Sequence, residues 1–302
     1  MKMTSIALGL ALMSLNAFAA DTPTPPDAAK KPYVVKAPHG AERQDEYYWL
    51  RDDKRENPDM LGYLKAENAY ADALLGPLKP VQDKLYEEIV ARIKQDDASV
   101  PYRERGWWHY SRFEAGKDYP IHARRKDAPG IDARSILAAN EAADFKGEEV
   151  LLDVNVLAAG KDYYAVGGRS LSQDNRLLAY SDDTNGRRQY TLRVKDLQSG
   201  KTLPDTIPGT AGYAVWADDN KTFFYIENDP ETLLSTRVKK HVLGTDPKDD
   251  VLVYEETDDT FYMGVGRTRD DKYIVIGLDS TVSNETRYTP AAAPGAFQVL
   301  AP

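Results

Sequence analysis

Past its first third the chain repeats itself, and the repeat limits the folds open to it. Ser172-Gln173-Asp174-Asn175-Arg176 leads into Leu177-Leu178-Ala179-Tyr180, and Ala217-Asp218-Asp219-Asn220-Lys221 leads into Thr222-Phe223-Phe224-Tyr225. Thr268-Arg269-Asp270-Asp271-Lys272 leads likewise into Tyr273-Ile274-Val275-Ile276. The basic residue recurs 45 positions on, from Arg176 to Lys221, and 51 positions on, from Lys221 to Lys272. A looser, earlier copy is Arg105-Gly106-Trp107-Trp108-His109-Tyr110. A polar turn holding Asp or Asn, a basic residue and then an apolar strand is what a β-propeller blade presents once per repeat. Residues 95–302 have room for about four blades at this period. A β-sandwich also strings short strands together, but it has no reason to repeat one turn at a near-constant interval. No alternation of strand and helix runs through this region.

Strands also follow the copies. Tyr190-Thr191-Leu192-Arg193-Val194 alternates, and Val251-Leu252-Val253-Tyr254 is continuously apolar. Nineteen tyrosines in 302 residues suit pleated, half-buried strands. Ala296-Phe297-Gln298-Val299-Leu300 reads as a last strand. A blade ending there leaves an unpaired edge, a pairing hazard unless something covers it, so a longer parent chain is expected.

Before the repeats the pattern is helical. Asn57 is a good N-cap, Pro58 fits the first helical position, and Asp59 lies where the helix dipole favours an acid. Leu61, Leu64, Ala71, Leu74 and Leu75 give a rough apolar stripe up to Gly76-Pro77. A second helix is predicted from about Pro80, with Val81, Leu85, Ile89 and Ile93 on one side and Glu87, Glu88 and Arg92 on the other. The fold class is thus mainly β: a partial propeller of about four blades behind a two-helix arm.

The first residues read as an address. Lys2, the apolar run Ile6 to Leu15 and the small residues of Ala17-Phe18-Ala19 predict a signal peptide over 1–19. A periplasmic or secreted protein is therefore expected. Residues 21–31, rich in Pro, Ala, Thr and Lys, form a lead-in. With no cysteine, the chain has no disulfide and no thiol chemistry. A net charge of −9 argues against a nucleic-acid partner, and no later stretch has the roughly 20 apolar residues of a membrane span.

No catalytic, cofactor or metal residue is assigned. An α/β-hydrolase nucleophile needs Gly-x-Ser-x-Gly, and Gly168-Arg169-Ser170-Leu171-Ser172 has serine in place of the second glycine. His39, His109, His122 and His241 show no metal-ligand spacing, and a lone histidine is ordinarily structural. Ser181-Asp182-Asp183-Thr184-Asn185-Gly186 lacks the first acid of a calcium loop, and Asn185-Gly186 reads as a hairpin turn. Asp52-Asp53 and Asp96-Asp97 read as solvated carboxylates. Gly264-Val265-Gly266 lacks the third glycine of a dinucleotide loop, and Trp107-Trp108 reads as blade packing.

Arg43-Gln44-Asp45-Glu46-Tyr47-Tyr48-Trp49-Leu50-Arg51-Asp52-Asp53 resembles the N-terminal signature of the prolyl oligopeptidase family. Tyr63-Leu64, Glu67-Asn68-Ala69-Tyr70, Glu88 to Ile93, Arg187-Arg188-Gln189-Tyr190, Thr232-Leu233-Leu234 and Tyr254 to Tyr262 resemble its oligopeptidase B branch. The resemblance implies a seven-bladed propeller inserted into an α/β-hydrolase domain. Residues 20–94 would be the arm that packs on that domain, with a hinge strand near Arg92 to Ser99, and 95–302 part of the propeller. The triad Ser, Asp and His would lie beyond this chain, which should be inactive alone. The implied enzyme cleaves short basic peptides after Arg or Lys without a cofactor. A stand-alone extracytoplasmic propeller that binds without catalysis is the rival reading.

Overall fold

The computed structural model describes residues 23–301, so the leader reading over 1–19 lies outside the described residues. Two compact units divide between Ile93 and Lys94.

In the first unit, β1 (Val34–Lys36) and β2 (Glu42–Gln44) form a small antiparallel ribbon, followed by a 3-10 turn at Tyr48–Leu50. Tyr33 stacks on Tyr48 with ring centroids 4.2 Å apart, and Trp49 Nε1 donates to the Ala29 carbonyl at 2.8 Å. The family-like signature therefore builds this ribbon and its flank. Asp52, read as solvated, accepts from the backbone N–H groups of Lys54, Glu56 and Asn57 at 3.1, 2.6 and 2.7 Å. Those bonds order the loop that delivers the next helix and hold the Asp52 carboxyl below the usual carboxylate range.

Helix α1 (Pro58–Leu75) begins where the sequence places it. The Asn57 side chain accepts from the Asp59 and Met60 N–H groups at 2.9 and 3.3 Å. Asn57→Ala removes this cap and should cost about 1 kcal/mol, read as roughly fivefold faster amide exchange in the first turn of α1. Unchanged exchange there would show that Pro58 alone sets the start. A 3-10 turn at Gly76–Leu78 leads into α2 (Lys79–Val90). The predicted apolar residues are present but uncovered: Leu61, Leu64, Leu74 and Leu75 of α1 and Val81, Leu85 and Ile89 of α2 are exposed. Met60 is the single buried residue of the two helices.

The second unit holds four antiparallel blades. The first comprises β3 (Tyr102–Glu104), β4 (Trp107–Arg112), β5 (Ile121–Lys126) and β6 (Glu148–Asp153). Between β5 and β6 lies α3 (Ala133–Glu141), and after β6 comes α4 (Val154–Ala158). The repeat pattern gives no sign of α3; its local signal is the reciprocal cap between Asp132 and Ser135. The second blade is β7 (Ala165–Leu171), β8 (Leu177–Asp183), β9 (Tyr190–Asp196) and the first half of β10 (Thr202–Trp216). The third takes the second half of β10, then β11 (Thr222–Asn228), β12 (Ser235–Val242) and β13 (Val251–Glu255). The fourth is β14 (Tyr262–Arg267), β15 (Tyr273–Asp279), β16 (Asn284–Pro290) and β17 (Gln298–Ala301).

Strand β10 changes partner at Thr210, which pairs with Tyr190 of β9 and with Glu227 of β11. Gly209 and Gly212 flank it at φ +70° and +94°, which lets the strand bend from one blade into the next. Each copy of the sequence repeat is the turn between a blade's first two strands. Asn175, Asn220 and Asp271 sit there at φ +63°, +55° and +60°, as Asn and Asp tolerate. The preceding carboxylates of Asp174, Asp219 and Asp270 accept from the N–H groups of Arg176, Lys221 and Lys272 at 3.1, 2.9 and 3.2 Å. The motif is thus a backbone-satisfying turn.

Apolar side chains of the middle strands alternate between the two neighbours of each blade. Leu178 and Tyr180 join Leu151, Leu152 and Tyr164 between blades one and two. Phe223 and Tyr225 pack with Leu192, Val194 and Trp216 between blades two and three. Phe224 and Ile226 pack with Ile274, Ile276 and Leu278 between blades three and four. This double burial explains why Phe223 to Ile226 of β11 runs apolar without a break.

Two expectations need correction. The hinge strand near Arg92 to Ser99 is not a strand: the segment turns and contributes one bridge, Ala98 to Arg112. The Asp97 carboxylate takes the next N–H group, that of Ala98, at 2.8 Å, which favours a turn over an extended run. The Asn185-Gly186 hairpin is a longer loop over 184–189. In it the Asp183 carboxylate accepts from the N–H groups of Asn185, Gly186 and Arg188 at 2.9, 3.0 and 2.8 Å.

Candidate functional site

The first strands of blades two, three and four run side by side. A Cβ on Gly168 of β7 would lie 2.4 Å from the Gly212 carbonyl of β10, so these two inner strands meet with no room for a side chain. At the turn end of the inner strands, Arg105, Gln173, Trp216 and Arg267, one from each blade in order, help line a common cavity of about 490 Å³. Arg267 is committed, donating to the Trp216 carbonyl at 2.7 Å and to Asp218 at 2.6 Å. Arg105 donates to Gln173 at 2.7 Å and pairs with Glu104 at 3.3 Å. Arg269, on the same wall, is exposed.

An adjoining cavity of about 210 Å³ lies between blades one and two, and two of the four histidines border it. His109 of β4 is 4% exposed and stacks on Tyr102 with centroids 5.3 Å apart. Its Nε2 is buried without a hydrogen-bond partner. Burial first, then the Arg124 and Arg105 charges, push its pKa down to about 4. His122 of β5 is 8% exposed, and its Nδ1 lies 2.7 Å from Ser111 Oγ. Burial and then the Arg169 charge push it to about 4 as well. Ser111 and His122 therefore form a contact without a base: the ring is far weaker than a general base working near neutrality, and no carboxylate among the described residues orients it. Arg169 of β7 lines the cavity, stays accessible and makes no hydrogen bond or ion pair with any described residue.

His241 is fully buried in the third blade. Asp250 holds its Nδ1 at 2.7 Å and Asp205 its Nε2 at 3.0 Å, so neither nitrogen is left for a nucleophile. Burial opposes ionisation of Asp205, but the Gly244 N–H at 2.6 Å and His241 outweigh it and hold its carboxyl below the usual range. Tyr225 donates to Asp250 at 2.9 Å, and the group ties β10, β11 and β12 together. His39 lies exposed in the turn between β1 and β2.

Ser170 sits within β7, an extended strand with no elbow, and its carbonyl accepts from Trp216 Nε1 at 3.0 Å. The Trp107 ring lies under the Arg124 guanidinium at 3.9 Å, and Trp108 Nε1 donates to Asp127 at 3.1 Å. Gly264 and Gly266 are in β14. Gln189 Nε2 donates to the Pro230 carbonyl at 3.0 Å, which joins the loops carrying Arg187-Arg188-Gln189-Tyr190 and Thr232-Leu233-Leu234. Among the described residues no helix is long and apolar enough to cross a membrane. Sequence reading missed the 210 Å³ cavity, because its histidines, Tyr102 and Arg169 come from four strands in two blades.

Residues 26–302 match the model of the prolyl oligopeptidase N-terminal β-propeller domain. Dipeptidyl aminopeptidase BI of Pseudoxanthomonas mexicana is 68% identical over all of this chain and 42% of its own length. Protease 2 of Moraxella lacunata is 33% identical over 85% of this chain and 36% of its own. The structure of oligopeptidase B from Leishmania major superposes with a TM-score of 0.82 at 30% identity, covering 92% of this chain and 40% of that one. The chain thus spans about two fifths of the length of these relatives.

Proposed function

The chain belongs to the prolyl oligopeptidase family, whose N-terminal β-propeller domain it carries, and from this premise we propose that it is the arm and gating propeller of a secreted serine peptidase of short peptides. The 68% identity to a dipeptidyl aminopeptidase along its whole length carries the reading. In the complete protein an α/β-hydrolase domain supplies serine, histidine and aspartate, and backbone donors hold the oxyanion. No residue of this chain is given a catalytic role. The propeller acts by exclusion: a folded protein cannot enter past the inner strands, whereas an extended peptide can. The uncovered leucines of α1 and the apolar residues of α2 are the face on which the hydrolase domain packs, since so many exposed large side chains need a partner.

Cleavage after Arg or Lys is proposed from the oligopeptidase B likeness, and dipeptide release from the name of the Pseudoxanthomonas relative. One experiment separates them. The full-length protein, purified from the extracytoplasmic fraction, is given Arg-Arg-p-nitroanilide with a free or a blocked amino terminus. Equal turnover supports the endopeptidase; turnover of the free form alone supports dipeptide release. No turnover of either sinks the peptidase reading and favours a binding propeller. The intact mass of that product should exceed 33.7 kDa, and the 302-residue chain by itself should hydrolyse neither substrate.

A further inference from the structure

We propose that the first blade is a movable leaf, which swings away from the second and opens a side passage into the 490 Å³ cavity. The three junctions between blades are not alike. Blades two and three form one seven-stranded sheet through β10, so they move as one body. Blades three and four share no strand among the described residues, but β14 packs directly on β10, β11 and β12 over an apolar core. The Asp218 N–H also donates to the Ala291 carbonyl there at 3.0 Å, and Arg267 crosses to the Trp216 carbonyl at 2.7 Å. Among the described residues blades one and two share no strand either, and β3 does not run beside β7 as β7 runs beside β10.

The inner half of that junction holds space instead of packing. The 210 Å³ cavity lies in it, and a second cavity of about 370 Å³ continues it toward Tyr119 and Tyr164. His122 and Arg169 border both, so two side chains part them. At its other end the 210 Å³ cavity shares Glu104, Arg105, Ser170 and Leu171 with the 490 Å³ cavity. A row of three cavities thus follows β7. Surfaces already apart lose little contact when they part further, so separation costs less here than at an apolar junction. The outer half is the hinge: Leu152 and Val154 pack with Leu178 and Tyr180, and Lys195 donates to the Leu151 carbonyl at 2.9 Å. The latch is at the turn end, where Arg105 donates to Gln173 at 2.7 Å and Asn175 donates to the Arg105 carbonyl at 3.2 Å. Blade one pivots on its outer strands and parts from blade two at the inner ones. An extended peptide is what such a slit admits; that occupant rests on the peptidase reading, and the movement does not.

The chain has no cysteine, so spin labels can be set in pairs by replacing exposed lysines with cysteine. Lys146 and Lys201 span blades one and two, Lys201 and Lys248 blades two and three, and Lys248 and Lys272 blades three and four. Pulsed electron resonance on the 302-residue chain then reads each distance distribution. The first pair should be at least about twofold broader than the other two, and Gln173→Ala should broaden it further while leaving them unchanged. Lys126 with Lys146, both in blade one, should stay narrow. Equal widths at all three junctions, or a width matched within blade one, overturns the leaf; no response to Gln173→Ala overturns the latch. In the full-length protein, a bismaleimide of the measured span bridging the first pair should slow an extended Arg-containing peptide at least about threefold and spare Arg-Arg-p-nitroanilide. Unchanged turnover of the extended peptide overturns the side passage. If the full-length protein hydrolyses neither substrate even without the bridge, the peptidase reading falls, and the label distances still decide the leaf.

Discussion

Trp216→Ala should destabilise the propeller unit by about 3–5 kcal/mol, the largest loss expected from any single truncation in it. The ring is fully buried and packs edge-on against Phe223 at 5.2 Å. It stands at the end of β10, the strand two blades share, among side chains from blades two and three. Its Nε1 reaches back to the Ser170 carbonyl of β7, and its own carbonyl accepts from Arg267 of the fourth blade. Removing it opens a cavity between blades and takes the indole donor from a partly buried carbonyl, two separate penalties. Trp216→Phe keeps most of the packing and loses the Ser170 bond, so it should cost roughly 1–3 kcal/mol less than the alanine variant. Urea unfolding followed by near-ultraviolet circular dichroism measures both. A loss under about 1 kcal/mol for the alanine variant would mean that the blades fold as separate units, not around a shared core.

The sequence made the periodic parts of this molecule legible and left the assembled parts hidden. Asn57, Pro58 and Asp59 announce α1 because a cap is a local hydrogen-bonding problem solved by adjacent residues. Asp174-Asn175-Arg176 and its copies announce the blades because each turn satisfies its own backbone within a few positions. The exposure of Leu64 and Leu85 was not legible, since periodicity reports an apolar face and not what covers it. Nor was the pairing of β10 with two blades, which depends on the bend at Gly209 and Gly212. The candidate site shows the same division. Arg169 drew notice in the sequence only inside a failed nucleophile motif. Its proximity to His109 and His122 follows from blade packing over a separation of more than forty residues, which no local pattern encodes.

Those two histidines lead to the second large effect, a loss of stability between pH 6.5 and 4. Unfolded, each ring takes up a proton as the pH falls through about 6.5. Folded, each resists until about 4, because burial penalises the charged form and arginines stand nearby. Through that window the unfolded state binds more protons, so acidification favours it. The stability tied to these rings is complete above pH 6.5, falls as the pH approaches 4, and then levels off. The limiting slope is about 1.4 kcal/mol per pH unit for each ring. Both line a cavity that solvent enters, and screening there brings the expected loss to roughly 1–2 kcal/mol per ring. Carboxylates held low by backbone N–H groups, such as Asp205 and Asp219, act below this window: their contribution is present above about pH 4 and is lost on further acidification. Urea midpoints at pH 7, 5.5 and 4.5 should therefore fall steadily for the native sequence, and the fall should flatten when His109 and His122 are both glutamine. A midpoint that stays level in the native sequence would mean that the folded rings accept protons freely, and that the wall of the cavity is wetter than its packing implies.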